Sequence, residues 1–309
     1  MSNDSSGLNT DPDVRRLVIL NAIESDKETA IELILSGFQD SCSTVREEAA
    51  RAIADFPGVY MLEPLLRLLL DKDEHVRRAA AETLSECNVA ELGDIYESWL
   101  ECNDDFVRSA VFKALRPLRL PNVAKHALKG VSDSSRDVRL ECVGVLGYLQ
   151  NQEYSHCLSE VAVNDVDPEV RRVAVGAIGY SSTPDTLAAA LQCLQDIEWQ
   201  VRAEAAATIA KLGAAGTCDQ VVKLLTSEAQ WQVISKILVA IGKIQCFDAV
   251  YDVITMLRHP MSNVRKEAAM CLGEIGNPVA IESLREAIFD RDPDVKKIAA
   301  WAIAKLQSI

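Results

Sequence analysis

The sequence predicts an all-α protein, an α-solenoid of about nine helix pairs behind one leading helix. Three observations predict it. First, one phrase recurs at 11–20 (DPDVRRLVIL), at 167–180 (DPEVRRVAVGAIGY) and at 292–301 (DPDVKKIAAW). Second, the valine inside that phrase marks a period. Val14, Val45, Val76, Val107, Val138, Val170, Val201, Val233, Val264 and Val295 follow one another at intervals of 31 or 32 residues. Third, the apolar residues between anchors recur at helical spacing, and period-two alternation is sustained nowhere. Self-similarity at such a period signals a repeat architecture, in which each repeat buries its apolar face only by stacking on its neighbours.

Taken in order, the elements begin with a leading helix at about 12–24. Pro12 stands in its first turn, where a missing N–H costs nothing. The first pair follows as TAIELILSGFQD (29–40) and STVREEAARAIADF (43–56). In its second helix Val45, Ala49, Ala52 and Ile53 form an apolar stripe, while Arg46, Glu47, Glu48 and Arg51 fall elsewhere around the axis. Later pairs repeat this plan. Pro57-Gly58, Pro121-Asn122, Thr183-Pro184 and Asn277-Pro278 mark handovers from one repeat to the next. Four residues past the anchor stands an alanine at Ala49, Ala80, Ala174, Ala205, Ala268 and Ala299, small enough for helices to approach closely. Arginine follows the anchor as Arg15, Arg46, Arg77, Arg108, Arg139, Arg171, Arg202 and Arg265; Ile234 and Lys296 depart. The missing arginine at Ile234 predicts a weak joint near 228–244. Residues 1–10, MSNDSSGLNT, are expected to be a disordered tail, and 11–309 a single domain.

The pattern D-x-(D/E)-V-R-x-x-A-A-x-A-(L/I)-G is read at 262–273 as SNVRKEAAMCLG and at 167–179 as DPEVRRVAVGAIG. It resembles the HEAT-repeat family, in the short subtype found in phycobilisome lyases and related proteins, over about 11–307. The resemblance implies a right-handed solenoid whose second helices line the concave face. It also implies that Asp and Arg around the anchor form a hydrogen-bonded ladder between repeats. On that basis Arg46, Arg77, Arg108, Arg139, Arg171, Arg202 and Arg265 are expected to be structural ladder residues.

Composition narrows the function. The chain has 309 residues, with 32 Lys and Arg against 46 Asp and Glu, a net charge of −14. The excess is concentrated in residues 1–103, which hold 9 basic and 21 acidic residues. A nucleic acid would be repelled there, and no basic stripe with interleaved aromatics offsets it. No apolar run reaches transmembrane length, and the first ten residues lack the build of a signal peptide. Nine cysteines stand singly, without a C-x-x-C pair, and Cys142 and Cys271 fall on core faces. That usage suits a reduced, cytoplasmic compartment more than a disulfide framework.

Candidates for chemistry are few. Of the four histidines, His75, His126, His156 and His259, none is followed by glutamate. The His-Glu iron ligands of deoxyhypusine hydroxylase, an enzyme built on this repeat, are therefore absent. No local Cys and His spacing suggests a metal, and no glycine loop cradles phosphate, so no cofactor is expected. His156-Cys157, near Tyr154, matches a dipeptide carried by pigment-isomerising bilin lyases, but the surrounding residues do not. Its simpler reading is a buried cysteine beside a surface histidine.

A protein partner fits the pattern better. Positions two, three, six and ten past the anchor point away from the core on the second helices. In the middle repeats they include Leu140, Gly144, Tyr148, Arg172, Val173, Gly176, Tyr180 and Lys211. The two glycines are expected to open space or to allow close packing, and the tyrosines to offer contact surface. Trp199 and Trp231, each two before an anchor, either plug the turns or touch a partner. The expected function is a non-enzymatic scaffold, adaptor or assembly chaperone for another protein. The alternative is a phycobilin lyase-type subunit or another tetrapyrrole-handling protein.

Overall fold

Helix follows helix throughout the computed structural model, which describes residues 11–55, 59–87 and 95–308. The predicted tail, 1–10, and the Pro57-Gly58 break lie outside the described residues. The chain divides into two compact units, Met1–Leu149 and Gln150–Ile309. In the first, α1 (Pro12–Leu20) leads into α2 (Lys27–Gly37) with α3 (Ser43–Ala52), then α4 (Val59–Leu68) with α5 (Glu74–Glu86). The pairs α6 (Glu97–Leu100) with α7 (Asp105–Leu115) and α8 (Ala124–Gly130) with α9 (Arg136–Leu149) complete it. The second unit runs α10 (Ser155–Asn164) with α11 (Pro168–Ile178), α12 (Pro184–Cys193) with α13 (Trp199–Leu212), and α14 (Cys218–Ser227) with α15 (Trp231–Lys243). It ends on α16 (Val250–Met256) with α17 (Ser262–Ile275) and α18 (Ile281–Ala287) with α19 (Pro293–Gln307).

In each unit the second helices pack in series, α1 to α3, α5, α7 and α9, and α11 to α13, α15, α17 and α19. This is an all-α solenoid arrangement. The anchors from Val45 to Val295 are all buried, whereas Val14 in α1 is 37% exposed. The alanines four residues past the anchor, from Ala49 to Ala299, are fully buried. Side chains of that size let successive second helices approach closely. Asp11, Asp26, Asp73, Asp104, Asp167 and Asp292 cap the helices that follow them, accepting bonds from first-turn N–H groups.

The arginines tie one turn to the next. Arg15, Arg46, Arg108, Arg171 and Arg265 each donate Nε and Nη2 to the aspartate 25 residues on, at 2.6–3.0 Å. Arg202 holds Glu228 in the same way, at 2.7 and 3.0 Å. The Nη1 of Arg46, Arg108, Arg139, Arg171, Arg202 and Arg265 donates to the backbone carbonyls five and six residues before it. Each carboxylate also accepts the N–H two residues on, as Asp40 does from Cys42 and Asp196 from Glu198. Both ends of a rung are thereby satisfied, which a half-buried ion pair requires. The Arg15 hydrogen bond holds Asp40 below the ordinary aspartate range, and Arg265 does the same for Asp290. In Asp71, Asp133 and Asp196, burial pushes the carboxyl up, but the arginine and backbone bonds outweigh it and the result is again lowered.

Two rungs differ. Arg77 has Cys102 at the 25-residue offset and reaches instead to Asp104, at 2.9 Å, with its guanidinium 4.5 Å from the Phe106 ring. At Ile234 the joint predicted to be weak is filled instead of broken. Ile234 is buried, and the position 25 residues on is His259, so cation and anion are replaced together. His259 keeps the local task, its Nδ1 accepting the Met261 N–H at 3.1 Å.

Candidate partner-binding surface

The predicted surface residues lie on second helices of both units. In the first unit, α9 carries Leu140, half-buried, Gly144, buried, and Tyr148, 45% exposed. The ten-residue spacing from Val138 brings Tyr148 out of the core face at the end of the helix. Two guanidiniums face its ring, Arg116 at 5.5 Å and Arg119 at 5.9 Å from the centroid. Arg119 has a left-handed backbone, φ 52°, at the end of the turn after α7. Arg116 also donates to Glu141 at 2.9 Å. Burial nevertheless pushes the Glu141 carboxyl above the usual glutamate range.

In the second unit, Arg172 and Val173 on α11 are half-buried, and Tyr180, just past the helix, is 57% exposed. Arg172 grips Glu169 through two bonds of 2.6 and 2.8 Å and stands 4.0 Å from Glu204 on α13. The Lys211 ammonium lies 5.4 Å from the Tyr180 centroid, a cation–π contact at an exposed site. The predicted residues thus include, in the first unit, a tyrosine edged by two arginines and, in the second, a tyrosine edged by one lysine.

The space expected above the two glycines is taken. A Cβ on Gly144 would stand 2.7 Å from Cδ of Arg116, and one on Gly176 would stand 2.9 Å from Oε1 of Glu204. Both intruders come from 28 positions away, one from the preceding repeat and one from the following. Helical periodicity places a residue on a face, but the side chain that covers it belongs to another layer. Arg116 and Arg119 are thus surface residues that the anchor-based reading missed. The 28-residue offset was the available signal.

The cysteine reading is corrected as well. Cys218, opening α14, and Cys246, in the turn before α16, form a disulfide with Cα atoms 5.5 Å apart. Stacking brings residues 28 apart in sequence into contact, which single-residue spacing conceals. The bridge borders a cleft of about 630 Å³ with Lys223, Phe247 and Asp252, none of them among the predicted surface residues. Trp199 and Trp231 are half-buried as the first residues of α13 and α15.

His156 is exposed and stands 3.2 Å from Asp185. Burial, and secondarily Glu160, pushes the neighbouring Cys157 thiol up, away from a reactive thiolate. Cys193 is pushed up to about 12 by burial and donates to the Ala162 carbonyl at 3.3 Å, a link between repeats. Among the described residues, no group of three or more His, Cys, Asp or Glu is placed to hold a metal ion. None of their helices is long and apolar enough to cross a membrane.

A family model described as HEAT repeats matches residues 6–85, 31–116, 157–241 and 219–304, well over half of the chain. The chain belongs to the HEAT-repeat family. No curated protein sequence matches this HEAT-repeat chain. Among solved structures, a chain of the Kap95p–RanGDP complex aligns with a TM-score of 0.64 and 14% identity, over 97% of this chain and 50% of that one. The YIBA protein of Escherichia coli aligns at 0.58 and 19%, over 94% and 96%. The CpcE–CpcF complex of phycocyanin lyase from Nostoc sp. PCC7120 aligns at 0.47 and 22%, over 58% and 75%. At these identities the first two likenesses establish the fold and nothing further.

Proposed function

We propose that this HEAT-repeat protein is a non-enzymatic scaffold, adaptor or assembly chaperone that binds another protein through the faces of its second helices. The observation that carries the reading is the pair of exposed tyrosines, Tyr148 and Tyr180, the first edged by Arg116 from the turn after α7 and the second by Lys211 on α13. Tyrosine and arginine are the residue types enriched where proteins meet, because they combine broad apolar contact with a polar tip. The neighbour in fold from the Kap95p–RanGDP complex supports it by analogy, since Kap95p is a solenoid relative that binds a protein. The partner follows the same reading: a protein ligand, with no resident cofactor.

The test is affinity capture from native extract, identification of the bound protein, and titration of that purified partner. Tyr148→Ala and Tyr180→Ala are each expected to weaken the complex by more than about 1 kcal/mol, with helical content unchanged. Binding that ignores both substitutions would remove the second-helix faces as the site. Phycocyanobilin is titrated in parallel. A visible absorption band that depends on Cys157 would favour the bilin-lyase alternative.

A further inference from the structure

The turn between first and second helix has one design in both units and two kinds of outward side chain. In Arg46, Arg108, Arg139, Arg171, Arg202 and Arg265, Nη1 holds the carbonyl five residues before it. That hold turns the carbonyl inward and leaves the side chain of the same residue to project outward. In the first unit the four residues at this offset are Ser41, Lys72, Asn103 and Ser134, all polar and all exposed. In the second they are Val166, Ile197, Ala229 and Pro260, followed by Arg291. Two residues further on the contrast repeats. Ser43, Glu74, Asp105 and Arg136 occupy the first unit, and Pro168, Trp199 and Trp231 open the series in the second.

Val166 and Ile197 are 86% and 87% exposed, among the most exposed apolar side chains of the chain. They are neighbours in space. One guanidinium, Arg171, bonds the Val166 carbonyl and Asp196 beside Ile197. Another, Arg202, bonds the Ile197 carbonyl and Glu228 beside Ala229. Three consecutive turns therefore present aliphatic side chains and indoles as one strip, and contiguous exposed apolar surface of this kind marks an interaction site. The same turns, 165–169, 196–200 and 228–232, contain Asp165, Asp167, Glu169, Asp196, Glu198 and Glu228; Arg171, Arg172 and Arg202 pair with Asp196, Glu169 and Glu228, so six acids stand against three cations. The strip is apolar with an acidic edge. A second copy of this strip would bring like charges together, and an anionic lipid surface would be repelled.

We propose that the turn ridge of the second unit, centred on Val166, Ile197, Trp199 and Trp231, docks a segment of another protein that carries large apolar side chains together with Lys or Arg. This surface is separate from the second-helix faces of the proposed function and stands or falls apart from them. The test selects a displayed random-peptide library on the full chain and measures the selected peptides by titration. The control is the variant Val166→Ser with Ile197→Ser, which changes only exposed side chains; circular dichroism verifies its helical content. The expected result is peptides rich in Trp, Phe or Leu together with Lys or Arg. They should bind the double variant roughly tenfold more weakly, and a Lys72→Ser chain as tightly as the parent. The proposal is overturned if no peptide is selected, if acidic peptides dominate, or if binding ignores the double variant. It is overturned equally if Tyr180→Ala abolishes peptide binding. Self-association in sedimentation, or binding to phosphatidylserine vesicles, that the double variant abolishes would also overturn it.

Discussion

At Arg202 the guanidinium grips Glu228 through two bonds and its own turn through two more. One repeat later, at the same offset from the anchor, Ile234 is buried and His259 stands where the acid would be. The first joint is a saturated ion pair, and at the second a buried apolar side chain stands where the guanidinium would be and an imidazole caps the turn. The difference teaches that a rung is a unit of two residues. Removing one partner leaves a buried charge and is costly, whereas replacing both with apolar or neutral groups of suitable shape is close to neutral. A missing arginine is thus a sign of weakness only while its carboxylate remains.

The comparison is broken most directly by Arg202→Ala, which leaves Glu228, 3% exposed at its side chain, without its partner. The expected loss is about 3–5 kcal/mol in denaturant unfolding. A loss below about 1 kcal/mol would show that the rung is surface-like.

Ile234→Arg makes the converse test by placing a guanidinium at the rung position 25 residues before His259. It is expected to cost about 2 kcal/mol, and adding His259→Asp should recover at least about 1 kcal/mol of that in a double-mutant cycle. Purely additive effects would mean that positions 234 and 259 do not form a rung.

Acid gives the smallest and broadest effect. Asp40 and Asp290 are held below the ordinary value of 3.8, first by their arginines. Such groups contribute stability that is fully present above 3.8 and is lost as pH falls through their lowered folded values. Melting temperature should therefore hold steady down to about pH 4 on this account and then decline. A chain with Arg265→Leu and Asp290→Leu together should decline less steeply, and an identical acid profile would remove the Arg265 rung from the explanation.

The sequence by itself determined the period, the nine helix pairs with their leading helix, and the offset at which the arginines recur. These are properties of one chain segment repeated: apolar spacing sets the helices, prolines and capping residues set their ends, and the anchor sets the register. The exposed tyrosines were legible for the same reason, since ten residues past a buried valine is off the core face. Only the tertiary structure decided what meets each of those positions. Arg116 covers Gly144, Glu204 covers Gly176, and Cys218 reaches Cys246. Each of these relations joins residues 28 apart in neighbouring layers. A repeat shifts such a partner by a few residues without changing its own pattern, as Arg77 shows by choosing Asp104 over position 102. Which side chain fills a gap is then settled by packing between layers, where reach and charge compete, and not by the periodicity that made the layers.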